Sequence, residues 1–133
     1  MILGIGTDIV EIPRIKEMIA KHGDAFLDRC FTDAEKALAA QREKAGGDIM
    51  RYASTYAAKE ALAKALGTGI AKGVSFKDFE ITRADNGAPI AKLSGAAQEH
   101  LKTLVPAGQK ARIHLSLSDE ASHALAFVVI EAV

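Results

Sequence analysis

YAAKEALAKALGTG, Tyr56–Gly69, is the stretch on which the reading of this chain turns. Seven of its first eleven residues are Ala or Leu, strong helix formers, and neither Pro nor an internal Gly interrupts them. Gly67 supplies a stop, because glycine tolerates the left-handed conformation beyond a last helical turn. Ala58, Ala61, Leu62, Ala65 and Leu66 cover most of the surface, with Tyr52, Tyr56 and Ala63 closing the circle. A helix apolar nearly all round is normally buried. Lys59, Glu60 and Lys64 are therefore conspicuous, since a buried charge needs a partner, a metal or a ligand. Glu60 and Lys64, four apart, also suit a plain exposed pair worth about 0.3–0.5 kcal/mol. The small Ala side chains suit either tight packing or a ligand lying along the helix.

A chain of 133 residues suits one domain, residues 1–133, with a single core. Lys plus Arg and Asp plus Glu balance at seventeen each, so no global field points to nucleic acid. The absence of Trp and the scarcity of other aromatics give little platform for base stacking. The lone Cys30 excludes an intrachain disulfide framework and reads as a small buried apolar residue. The opening MILGIGTDIVEI lacks a basic leader and carries Asp8 and Glu11, and no stretch is apolar enough to span a bilayer. A cytoplasmic protein without membrane attachment is expected.

Met1–Ile9 reads as a buried strand in which Gly4 and Gly6 admit another backbone, with Asp8 at its far end. Pro13 and Gly23 bracket a helix. Its Ile15, Met18 and Ile19 make an apolar stripe; Arg14, Lys16, Lys21 and His22 make a basic face broken by Glu17. That face suits either solvent or an acidic partner. Thr32 to Glu35 matches a capping box opening a helix to about Lys44, ended by Gly46-Gly47. Asp48 is placed to cap the next helix, which carries Arg51 and continues through the central stretch to Leu66.

The second half turns to strands. Phe79–Ile81 and Pro89–Leu93 flank Asn86-Gly87 as a hairpin. Ser94 is expected to cap a helix to Leu104. Arg112–Ser118 alternates, with Ile113, Leu115 and Leu117 on one face and Arg112, His114, Ser116 and Ser118 on the other. Ala124–Val133 reads as a last strand, antiparallel to it.

If the first strand and the central helix meet, Asp8 and Glu60 offer oxygens to a hard cation. Magnesium is typically held by one or two carboxylates, with waters and substrate phosphates completing its shell. Lys59, Lys64 and the Gly67–Gly69 turn could then face phosphate oxygens, and His114, Ser116 and Ser118 could line the same cleft. Neither a GxxxxGK[ST] loop nor a GxGxxG turn after a strand is present. The residues alone reach a metal–phosphate site and no further.

GIGTDIVEI at Gly4–Ile12, FT..E at Phe31–Glu35, RYASTYAAKEALAKALGTG at Arg51–Gly69, NGAP at Asn86–Pro89 and HLSLSDE at His114–Glu120 occur in one order along essentially the whole chain. In this the sequence resembles the 4'-phosphopantetheinyl transferases of the small, single-domain holo-acyl-carrier-protein synthase type. The resemblance implies a compact α+β fold, a mainly antiparallel sheet against a long central helix, assembled as a homotrimer with coenzyme A between protomers. It implies transfer of 4'-phosphopantetheine from coenzyme A to a serine of apo-acyl carrier protein, releasing adenosine 3',5'-bisphosphate. Asp8 and Glu60 would hold magnesium, and Lys64 would stabilise or protonate the departing phosphate. Lys59 would give phosphate-side or structural support. Gly67, Thr68 and Gly69 would lie near the nucleotide, and His114, Ser116 and Ser118 would line the cleft. Arg14, Met18 and Lys21 would dock the carrier protein.

Two positions depart from the resemblance: Asp119 stands where many relatives carry His, and Ala88 where Lys or Arg is common. The general base is left open between Asp8 and a metal-bound water. A non-catalytic coenzyme A-binding oligomer of the same fold is the alternative.

Overall fold

The computed structural model describes residues 1–133, Ala45 by its backbone alone. Three strands, β1 (Ile2–Glu11), β4 (Ala111–Asp119) and β5 (His123–Ala132), form an antiparallel sheet in the order β1-β5-β4. Asp8 pairs with Ala126, which pairs with Leu117 on its other side. The helix α4 (Gly47–Leu66), twenty residues long, lies across this sheet.

Two glycines set how closely they approach. A Cβ on Gly6 would lie 1.8 Å from the Ala61 carbonyl oxygen, and one on Gly4 would lie 1.9 Å from that of Ala65. The backbone expected to approach these glycines is that of α4. The sheet's inner face is completed by Ala124, Ala126, Val128 and Ile130, all buried.

The apolar opening of the chain predicts a buried first strand, and only one of its faces is buried. Successive side chains point to opposite sides of a sheet. Gly4, Gly6, Asp8 and Val10 therefore turn toward α4, while Ile5 and Ile9 stand outward, 59% and 62% exposed. On the same outer face lie their cross-strand partners Val129 and Leu125, together with Phe127. His114, Ser116 and Ser118 of β4 share it, because each is registered with one of these three residues.

Helix α1 (Ile12–His22) carries Pro13 in its first turn and stops at Gly23, as the sequence predicts. Asp24–Cys30 forms a further helix, α2, that no sequence pattern announces. Its Phe26 and Cys30 enter the core, and Phe26 packs edge-on to Phe31 with ring centroids 5.9 Å apart. Helix α3 (Asp33–Ala40) opens on the expected capping box: Glu35 N donates to Thr32 Oγ1 at 3.3 Å and Thr32 N to Glu35 Oε1 at 2.8 Å. It ends four residues before Lys44, and a separate 3₁₀ turn over Lys44–Gly46 leads into α4.

Two expected caps fall elsewhere. Asp48 lies inside the first turn of α4, whose cap position is the left-handed Gly46. The hairpin of β2 (Phe79–Arg83) and β3 (Pro89–Leu93) is followed by α5 (Gly95–Leu104). Ser94 occupies the position before α5 but makes no side-chain cap; Asp78 Oδ2 accepts from Ala97 N at 3.2 Å instead. A longer side chain from a preceding turn thus satisfies an amide that Ser94 leaves free. The fold is α+β, with antiparallel sheets and helices around one core. Among the described residues no helix is long and apolar enough to cross a membrane.

Candidate active site

The close approach of β1 to α4 brings three expected residues together. Lys64 leaves the last turn of α4, and its Nζ donates to the Thr7 carbonyl at 3.0 Å and to Asp8 Oδ1 at 3.1 Å. The side chain of Asp8 is 16% exposed and that of Lys64 is 52% exposed. Glu60, one turn earlier on α4, is half-buried. Burial pushes its carboxyl up from the ordinary value, and the neighbouring Asp8 charge pushes it further; Lys64, Tyr56 and Arg14 pull the other way. The simple Glu60–Lys64 pair on one helix is not what forms: Lys64 pairs with Asp8 across the element boundary.

Asp8 opposes the ionisation of Glu60, and two carboxylates beside a single ammonium leave a local excess of negative charge. These are hard oxygen donors. Among the described residues no group of three His, Cys, Asp or Glu gathers as a metal cage. That donor set suits magnesium, which takes one or two carboxylates and fills its other positions with water and phosphate. Tyr56 and Arg14, which also act on Glu60, mark residues that sequence reasoning placed elsewhere. Their only sequence signal was spacing: Tyr56 lies four residues before Glu60, and Arg14 begins the helix after β1.

Lys59 does not face this site. It is wholly buried, and its Nζ donates to Glu35 Oε1 at 2.5 Å and to the Cys30 carbonyl at 2.7 Å. It lies 5.5 Å from the centroid of the Phe31 ring. Glu35 Oε2 accepts from Ile81 N at 2.7 Å. The pair ties α2, α3, α4 and β2 together, so the phosphate-side reading of Lys59 gives way to structural support. Adjacent residues on a helix point about 100° apart, which turns Lys59 inward when Glu60 faces β1.

The Gly67–Gly69 turn also differs from expectation. Gly67 N donates to the Lys64 carbonyl at 3.0 Å; Thr68 N and Gly69 N donate to that of Ala63 at 3.2 and 3.1 Å. Thr68 Oγ1 donates to the Gly69 carbonyl at 2.8 Å. These donors close the helix end, so they form no open cradle for a phosphate.

His114, Ser116 and Ser118 do not join Asp8 within one chain. They occupy the outer face of the sheet, whereas Asp8 faces α4. His114 Nε2 lies 2.9 Å from Glu131 Oε1 and holds that carboxyl below its ordinary value. On α1, Arg14 and Lys21 are exposed and Met18 is half-buried. Met18 lines a cavity of about 190 Å³ with Phe26 and Arg29 of α2. Arg29 belongs to the helix that the sequence patterns miss.

The chain and its α+β fold have clear relatives. Residues 4–128 match the model of the 4'-phosphopantetheinyl transferase superfamily. A holo-[acyl-carrier-protein] synthase of Methylorubrum extorquens is 50% identical over 133 residues, covering 100% of this chain and 96% of that protein. The crystal structure of the Neisseria meningitidis holo-[acyl-carrier-protein] synthase superposes with a TM-score of 0.84 at 42% identity, covering 98% of this chain and 99% of that one. A Bacillus anthracis holo-(acyl-carrier-protein) synthase, solved in complex with CoA (3',5'-ADP), gives a TM-score of 0.80 at 38% identity over 100% and 99%. The chain belongs to the 4'-phosphopantetheinyl transferase superfamily and, within it, to the holo-[acyl-carrier-protein] synthase enzymes.

Proposed function

We propose that this chain transfers 4'-phosphopantetheine from coenzyme A to a serine hydroxyl of an apo-acyl carrier protein, releasing adenosine 3',5'-bisphosphate. The observation that carries the reading is the convergence of Asp8, Glu60 and Lys64 where β1 meets α4. Asp8 and Glu60 would hold magnesium, which when bound supplies neutralising charge to the pyrophosphate of coenzyme A. The serine hydroxyl gives up its proton to Asp8 or to a water, its oxygen forms a bond to the β-phosphorus, and the bond to the bridging oxygen breaks. The electron pair leaves on the departing nucleotide phosphate. Lys64, half in solvent, holds its Nζ proton where that developing charge can take it or be stabilised by it.

Carrier-protein docking is assigned to Arg14, Met18 and Lys21; the exposed charges of Arg14 and Lys21 suit an acidic partner. Arg14 also acts on Glu60, which links the docking helix to the reacting centre. A homotrimer is supported by the outer face of the sheet. Ile5, Ile9, Leu125 and Phe127 are 59%, 62%, 40% and 42% exposed there. Such an apolar patch suits burial against another copy. His114, Ser116 and Ser118 share that face, so a neighbouring copy is what would carry them to a cleft beside Asp8. Gly67, Thr68 and Gly69 border the nucleotide in this reading by position, at the end of the helix that carries Lys64. A cytoplasmic location belongs to the same reading.

Incubation with apo-acyl carrier protein, coenzyme A and magnesium, followed by mass measurement of the carrier, tests the proposal. A gain of one phosphopantetheine is expected; an unchanged mass would refute it.

A further inference from the structure

Two strand edges of this fold open onto one groove. β3 is an edge of the hairpin, and β4 is an edge of the three-stranded sheet. In an antiparallel pair alternate residues turn amide and carbonyl to the partner strand, and the residues between turn theirs away. Lys110 and Val133 exchange both bonds, at 2.8 and 2.9 Å. Along β4, Arg112 and His114 therefore face β5, while Ala111 and Ile113 face away from it. In the hairpin, Ser94 N donates to the Asp78 carbonyl at 2.8 Å. Lys92 and Ile90 therefore face β2, while Leu93 and Ala91 face away. Ile81, registered with Ala91, has the same outward phase, and its amide leaves the hairpin for Glu35 Oε2.

Ala91, Leu93, Ala111 and Ile113, the four outward-phased residues, all line a groove of about 620 Å³. Among the described residues none of their amides or carbonyls has a protein partner. Leu101 of α5 and Val105 just beyond it add apolar wall. The charged lining residues are Lys92, Lys102 and Lys110, all exposed, and no Asp or Glu lines the groove with them. Lys102 is tied to Glu99 at 2.9 Å, whereas Lys92 and Lys110 make no ion pair among the described residues. Ile113 alternates with His114, so the groove is not part of the outer sheet face that carries Ile5, Ile9 and Phe127. Free backbone groups, apolar wall and uncompensated cations thus meet in one place.

We propose that this groove binds an extended acidic segment of another protein, which pairs as an added strand with the free backbone groups of β3 and β4. Main-chain hydrogen bonds hold such a segment, and alternate side chains select it. Its apolar side chains lie against Leu101, Val105 and Ile113, and its carboxylates meet Lys92 and Lys110. The same lysines exclude a second copy of this chain, whose edges would bring like charges together. The assignment does not depend on the transfer reaction.

Fluorescence anisotropy of a short labelled peptide of alternating Val and Glu, titrated with the full chain, tests it. The peptide should bind saturably, and its counterparts with Lys in place of Glu, or with N-methylated amides, should not. Lys110→Glu should weaken binding about tenfold or more, the loss expected for a charged hydrogen-bonding partner. Ala91→Pro and Ala111→Pro each delete an amide that the neighbouring strand does not use, a position where an edge strand tolerates proline. At least one of them should weaken binding about fivefold or more, the loss of one hydrogen bond, with thermal melts confirming that each variant folds. Amide hydrogen exchange at Ala91, Leu93, Ala111 and Ile113 should slow when the acidic peptide is added. Absence of saturable binding overturns the proposal. So does binding that both proline variants leave unchanged, binding shared by the Lys peptide, or exchange at these four amides that the peptide does not slow.

Discussion

Lys64 Nζ lies 3.1 Å from Asp8 Oδ1, although 56 residues separate the two along the chain. The contact exists because Gly6 lets the α4 backbone come against β1, with Ala61 O so near that no side chain would fit. It places one cation at the carboxylate that Glu60 also feels.

From this contact, Lys64→Ala should lower kcat for phosphopantetheine transfer by about tenfold or more, the range for loss of a positioned acid or charge stabiliser, and change KM for coenzyme A little. Steady-state kinetics with coenzyme A as the varied substrate checks it. A rise in KM at constant kcat would remove the leaving-group role.

The Lys59–Glu35 pair should matter to stability rather than to chemistry. Lys59→Met leaves Glu35 buried without its cation and should destabilise the fold by about 3–5 kcal/mol, the cost typical of breaking a buried ion pair. Urea denaturation reads this directly. A loss well under 1 kcal/mol would show that the Ile81 and Thr32 amides satisfy Glu35 alone.

The upward shift of Glu60 has a sign that opposes ordinary carboxylate behaviour. Its folded value lies above its unfolded one, so the folded state binds the proton more tightly. Its contribution to stability is present below the unfolded value, about 4.5, and is lost as pH rises through the raised folded value. In metal-free protein, Glu60→Gln should flatten that part of the stability–pH profile. Identical profiles in both proteins would show that burial does not perturb Glu60.

Arg14→Glu should raise KM for the carrier protein while leaving that for coenzyme A near its starting value, and wild-type turnover should fall as salt is added. Turnover indifferent to salt would exclude electrostatic docking on α1.

Most of this architecture was legible where local rules decide. The Thr32–Glu35 capping box, the Gly67 stop and the alternation of Arg112–Ser118 depend on neighbours in sequence, and each forms in the fold. The α2 helix was not legible, because Asp24–Cys30 is short and its helical state rests on burying Phe26 and Cys30 in the core. Side-chain fates set by tertiary contact were equally hidden. Glu35 reads as a cap, yet its carboxylate also accepts from Lys59 and Ile81, 24 and 46 residues away. Lys59 and Glu60 read as one charged patch, and packing sends one into the core and the other toward β1. The pairing of β1 with β5 splits the expected cleft residues between two faces of a sheet.

The most direct test follows carrier-protein mass under saturating magnesium and coenzyme A for Asp8→Ala and Glu60→Ala, with thermal melts confirming that each variant is folded. Both folded variants should leave the carrier unmodified over a period in which the wild type converts it fully. Near-normal conversion by either one would contradict the claim that these two carboxylates act together on the phosphate being transferred.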